Sequence, residues 1–188
     1  MDVFLRAKKG EVLCGDKYII KQYGKGTLYI LIDAIGHGKE ASLIAGITSQ
    51  LIEDSINMKL PNIIEACNAK LSGTRGAVIC FVFYLPEENK AYYYSVGNIS
   101  CLLVSNTRVV KLNSIPGIFG LKNLDITLSE VETTEKDRLL MFTDGATELK
   151  AESYAQLQKM NSRHLVQMLS ETWTGQDDIC CICEQLHG

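Results

Sequence analysis

The stretch Leu28-Tyr29-Ile30-Leu31-Ile32 carries apolar side chains at every position and ends in a carboxylate, Asp33. Successive side chains of a strand point to opposite faces, so a strand that is apolar on both must be covered on both. The run from Thr27 to Asp33 therefore reads as a fully buried strand, preceded by a second strand from Lys17 to Gln22 and a turn at Gly24-Lys25-Gly26. Covering material lies close by in the chain. From about Lys39 to Asn57 the pattern is helical, with Ile44, Ile47, Leu51 and Ile52 on one face and Glu53 and Asp54 outside it. Pro61 suits the first turn of a second helix, which points Ile63, Ile64, Cys67 and Leu71 inward.

From Arg75 onward the pattern turns to β. Ala77 to Leu85, Lys90 to Val96, Ser100 to Val104 and Arg108 to Leu112 are rich in β-branched and aromatic residues. Short turn signals separate them, and they read as an antiparallel meander. Beyond a loop holding Pro116, Gly117 and Gly120, strands are expected at Asp125 to Glu132 and Arg138 to Thr143. Helices over Ala151 to Met160 and Arg163 to Thr172 precede a last strand, Asp178 to Glu184. Antiparallel strands with helices grouped in pairs predict an α+β fold, a β-sandwich flanked by helices. With no repeat, linker or low-complexity stretch, the 188 residues are expected to form one domain.

Charge and composition narrow the function. The net charge is -3 with no basic run, which argues against nucleic acid as a partner. No segment has the length and apolarity of a membrane span, and the start lacks a signal-peptide pattern, so a cytoplasmic protein without a membrane partner is expected. Seven cysteines are an odd number, and most sit inside apolar runs. Cys180, Cys181 and Cys183 share one strand-like run without His partners, so free structural thiols are expected rather than a zinc site.

The chemistry is concentrated in the aspartates. Asp33 ends the most buried strand, Asp144 ends the apolar run Leu139 to Thr143, Asp177 and Asp178 open the last strand, and Asp16 opens the first. A single Asp-Gly after a strand is commonly a turn. Four such placements at strand ends make independent turns the poorer account. Partly buried carboxylates that converge repel one another and are costly to desolvate, so cations must compensate them. Oxygen-only ligands of this kind suit Mg²⁺ or Mn²⁺, and a pair of such ions can activate water and draw charge off a phosphoryl group.

The ordered segments Cys14-Gly15-Asp16, Asp33-Ala34-Ile35-Gly36-His37-Gly38, Ser95-Val96-Gly97-Asn98, Phe142-Thr143-Asp144-Gly145 with Glu148, and Asp177-Asp178-Ile179 resemble the PPM, or protein-phosphatase-2C-like, family in its SpoIIE-type branch. With Cys67-Asn68-Ala69, Thr74-Arg75-Gly76-Ala77 and the short length, the chain is most similar to the small RsbX-type serine/threonine phosphatases of the stressosome. The resemblance implies a PPM-type sandwich of two antiparallel sheets flanked by helix pairs. It implies hydrolysis of phosphoserine or phosphothreonine on STAS-domain scaffold proteins by metal-activated water. It further implies two ions, Mn²⁺ or Mg²⁺, with Asp33 bridging them and the backbone carbonyl of Ala34, Asp144 and Asp177 as further ligands. Asp178 is the less favoured alternative to Asp177. Asp16 matches a residue that orients water, and His37 is a candidate general acid. Asn98 stands where many members carry aspartate, and Cys180 where a hydroxyl residue is usual. The competing expectation is a phosphatase-like binding module without catalysis. A two-metal nuclease also fits the aspartates but not the acidic charge.

Overall fold

A computed structural model describes residues 1–121 and 124–186. The buried strand predicted at Thr27 is β3 (Gly26–Ala34), and it is covered on both sides as its composition requires. Its odd and even residues part company. Leu28, Ile30 and Ile32 meet Ile44, Ile63 and Ile64 of α1 (Gly38–Asp54) and α2 (Leu60–Leu71). Tyr29 and Leu31 face the other way, into the layer between two sheets. One sheet has the order β2 (Asp16–Tyr23), β3, β4 (Ala77–Leu85), β5 (Lys90–Val96), β8 (Ser129–Glu132). The second runs β1 (Asp2–Arg6), β10 (Ile179–Gln185), β9 (Arg138–Phe142), β6 (Ser100–Val104), β7 (Val109–Lys111). All the strand pairings are antiparallel.

Between the sheets Leu31, Cys80 and Val82 pack on Cys101, Leu103, Met141 and Ile182. On the far side Leu140, Phe142, Cys181 and Cys183 lie under Leu165, Val166 and Leu169 of α4 (Ser162–Glu171). The result is a helix–sheet–sheet–helix stack. Each central strand buries two faces, which explains why so many of them lack polar alternation. The seven cysteines are all free, and six are buried in these layers. Burial raises the Cys67 thiol to about 12, as expected of inert packing residues. Among the described residues no helix is long and apolar enough to cross a membrane.

The structure departs from the sequence reading in four places. β1 is an added edge strand, paired through Phe4 opposite Cys181; its five residues end in Asp2 and Arg6, too short and too polar at the ends to signal a strand. The meander is broken at Gly97-Asn98, where the chain leaves the first sheet and enters the second. Gly97 has φ +98, and a Cβ there would fall 2.1 Å from Cγ1 of Val78, so only glycine makes this crossing. The strand expected at Asp125 to Glu132 pairs with β5 only over Ser129–Glu132; before that, Ile126 and Leu128 pack toward the helices of the first sheet. The helix expected over Ala151 to Met160 shrinks to a 3₁₀ turn, Ala151–Ser153, and α3 (Tyr154–Leu157). Of α3's residues only Leu157 is buried, and too little apolar surface is available to hold a longer helix.

Truncating Leu31, fully buried between the sheets, to alanine should cost about 2–5 kcal/mol in denaturant unfolding. Leu43→Ala, on the exposed side of α1, should change stability by no more than about 0.5 kcal/mol.

Candidate metal centre

The antiparallel register of β2 and β3 sets Asp16 directly opposite Asp33. The second sheet delivers its aspartates to the same end of the stack. The ladder between β9 and β10 continues past Phe142, with the Thr143 amide donating to the Cys180 carbonyl at 3.0 Å. Asp144 follows immediately on one strand, and Asp177 and Asp178 precede the other. Gly145 is pressed onto this junction: a Cβ there would lie 1.9 Å from the Asp178 carbonyl oxygen, which explains a glycine after Asp144.

These carboxylates feel one another. Burial lifts Asp33 to about 9, and the charges of Asp16, Asp144, Asp177 and Asp178 add to the rise. Burial likewise lifts Asp16 to about 8, reinforced by Asp178, Asp144 and Asp177 and opposed by a hydrogen bond from Thr143. Asp144 is raised by desolvation and by Asp177, while Asn98 pulls it back. The predicted aspartates are therefore brought together rather than scattered. Among the described residues, none of the five aspartates takes part in an ion pair with Lys, Arg or His.

Each carboxylate has a distinct setting. Asp16 is 2% exposed, and its Oδ2 accepts from the Thr143 hydroxyl at 2.7 Å, which in turn accepts from the Cys180 amide at 2.9 Å. Asp178 is 3% exposed, and both its oxygens are engaged: Oδ1 accepts from the Lys8 amide at 2.8 Å and Oδ2 from the Gly15 amide at 2.7 Å. It fastens the segment between β1 and β2. Asp177 is exposed beside it, with Oδ1 accepting from the Asp178 amide at 2.9 Å. Asp144 is exposed, and its Oδ2 accepts from the Asn98 side-chain amide at 2.7 Å. Ala34 closes β3 with its amide donating to the Gly15 carbonyl at 3.2 Å. His37 is exposed at the start of α1, its Nδ1 2.8 Å from Oε1 of Glu11.

Thr143, the amides of Lys8 and Gly15, and the Asn98–Asp144 bond were not assigned roles from the sequence. Thr143 and Asn98 stood inside the motifs, so a signal existed, but their partners are more than forty positions distant.

Among the described residues no three His, Cys, Asp or Glu side chains already stand at metal-binding spacing. Asp178 is held back by two amides. The donor set nonetheless suits hard divalent cations: oxygen atoms only, two of the carboxylates strongly destabilised as anions, and no protein cation paired with them.

Raised carboxyl pKa values reverse the usual acid behaviour. The unfolded chain ionises Asp16 and Asp33 near 3.8, whereas the folded chain holds their protons up to about 8 and 9. In chelator, stability should therefore fall as pH rises from about 4 through those folded values, because the unfolded state binds fewer protons. Thermal unfolding in chelator should give a lower Tm at pH 8.5 than at pH 6. Millimolar Mg²⁺ or Mn²⁺, or Asp33→Asn, should recover most of the loss.

A family model described as stage II sporulation protein E (SpoIIE) matches residues 24–187. A curated relative, the phosphoserine phosphatase RsbX of Bacillus subtilis (strain 168), is 29% identical over 103 residues, 55% of this chain and 52% of its own length. The chain thus spans about half the length of the curated relative it matches. A solved chain described with the bacterial stressosome, a modular system adapted to control secondary messenger signaling, is 28% identical with a TM-score of 0.83, covering 96% of each chain. RsbX in complex with magnesium superposes with a TM-score of 0.86 at 24% identity, over 98% of this chain and 93% of that one. The PPM-type sandwich expected from the motifs is the fold observed. On its matched span of residues 24–187, the chain belongs to the SpoIIE family.

Proposed function

We propose that residues 1–188 form a single phosphatase domain that hydrolyses phosphoserine or phosphothreonine on a cytoplasmic signalling protein. The observation that carries this reading is the convergence of Asp16, Asp33, Asp144 and Asp177 at one end of the sandwich with no ion pair among the described residues to neutralise them. Two divalent cations, Mn²⁺ or Mg²⁺, would supply water activation and charge neutralisation at the phosphoryl group. Asp33, whose carboxyl feels the aspartates of both sheets, is the residue suited to bridge them. Asp144, Asp177 and the Ala34 carbonyl complete the ligand set. Asp178 is left out of it, because both its oxygens already accept from backbone amides.

Asp16 is buried and fixed by Thr143, which suits it to orient a water rather than to move with a ligand. His37 is exposed three residues beyond Ala34 and is our candidate to hand a proton to the departing seryl oxygen. RsbX and the stressosome chain support a phosphorylated STAS-domain scaffold as the substrate. The alternative is a catalytically weak phosphatase-like binding module. It draws on the Asn98 amide, which engages one Asp144 oxygen.

With Mn²⁺ or Mg²⁺ present, the protein should release phosphate from p-nitrophenyl phosphate and from a phosphoserine peptide. Asp33→Asn and Asp144→Asn should each lower kcat by about a thousandfold, close to 4 kcal/mol of transition-state stabilisation. Full activity in both variants, or in excess chelator, would refute the phosphatase reading. Calorimetry showing no metal uptake would favour the binding module.

A further inference from the structure

Asp16 and Asp33 are fixed by the pairing of β2 with β3, but Asp144 and Asp177 stand beyond the ends of β9 and β10, in exposed loops. Exposed loops open more easily than paired strands, so a site that shares an ion between these two needs their backbones held. The C-terminal turn of α4 touches both loops. The Thr172 hydroxyl donates to the Leu169 carbonyl at 2.7 Å and accepts from the Thr147 amide at 3.0 Å, three residues beyond Asp144. The adjacent Trp173 indole N–H donates to the main-chain carbonyl of Asp177 at 2.9 Å. An indole N–H has one fixed direction once its ring is seated. Here the ring packs on the core beneath α4, with Phe4 edge-on at 6.4 Å and the Arg6 guanidinium 5.9 Å from its centre.

Resting on the metal-centre reading above, we propose that Thr172 and Trp173 are positioning residues for the cation site, the end of α4 setting the Asp144 and Asp177 loops at one separation. Asp144 already feels the charge of Asp177, so the two carboxylates are neighbours without an ion. Both bonds are made to the main chain, at Thr147 and at Asp177. They therefore fix where the loops sit without consuming a carboxylate oxygen that a cation needs. A divalent ion gains most from ligands that are in place before it arrives, and partners that orient ligands from outside typically change metal affinity tenfold or more. The hydroxyl and the N–H are also separable from the packing, since the apolar contacts of the ring with the core and with Phe4 do not depend on either.

The test is calorimetry of the full chain with Mg²⁺ and with Mn²⁺, alongside thermal unfolding in chelator. Trp173→Phe keeps an aromatic ring beside Phe4 but has no N–H. It should weaken cation binding about tenfold and leave the Tm in chelator within about 3 °C of wild type. Thr172→Val, close in shape but without the hydroxyl, should weaken binding to a similar extent, and Thr172→Ser should restore wild-type affinity. Unchanged affinity in either Trp173→Phe or Thr172→Val would overturn the proposal, as would a Thr172→Ser variant as weak as Thr172→Val. An affinity loss that comes with a larger fall of Tm in chelator also overturns it, because the bond then serves the fold at large. Should Trp173→Phe fail to fold, the valine and serine variants of Thr172 decide. Wild type that takes up neither cation fails the metal-centre reading and the proposal together. Wild type that binds cations but leaves p-nitrophenyl phosphate and a phosphoserine peptide intact fails the phosphatase reading alone, and the affinity ratios still decide the proposal.

Discussion

Mutual repulsion among carboxylates at one end of a close-packed sandwich is the constraint around which the rest of this molecule is arranged. Asp16 and Asp33 stand opposite each other on adjacent strands, where burial already disfavours their charge. Asp144, Asp177 and Asp178 then add like charge from the second sheet. An arrangement of this kind is unfavourable in isolation and becomes sensible once divalent cations are its counterpart. The protein spends hydrogen bonds on holding the cluster in place rather than on neutralising it: Thr143 on Asp16, Asn98 on Asp144, and two backbone amides on Asp178.

Asp178 illustrates how a carboxylate beside the others can fasten the fold. Its two amide partners, from Lys8 and Gly15, lie at either end of the segment joining β1 to β2. The same segment carries Glu11 to His37 at the start of α1. One buried aspartate thereby ties the edge of the second sheet to the first. Asp144 also lines a cleft with Lys111 and Glu148.

Most of the layer structure was legible along the chain. β3 and α1 announce themselves through local pattern, because a strand apolar on both faces and a one-sided helix each need only their own residues to be recognised. Elements stabilised by partners were harder. β1 forms because β10 offers it an edge, and the segment before β8 leaves the sheet because Ile126 and Leu128 find a place under the helices. The sheet switch at Gly97 was hidden for the same reason, since the close contact that demands glycine is with Val78 on another strand.

The candidate site divides along a similar line. That carboxylates end apolar strands is a property of the sequence, and it marked Asp16, Asp33, Asp144 and the Asp177-Asp178 pair as candidates for chemistry. Local order also carried the kinship with the SpoIIE family. Tertiary structure alone decided that these groups share one end of the stack, that Asp178 is engaged by amides while Asp177 stays open, and that a cleft extends beyond Asp144. Strand periodicity is encoded residue by residue. Charge proximity and hydrogen-bond partnership depend on which distant segments packing brings together, and no local pattern records that.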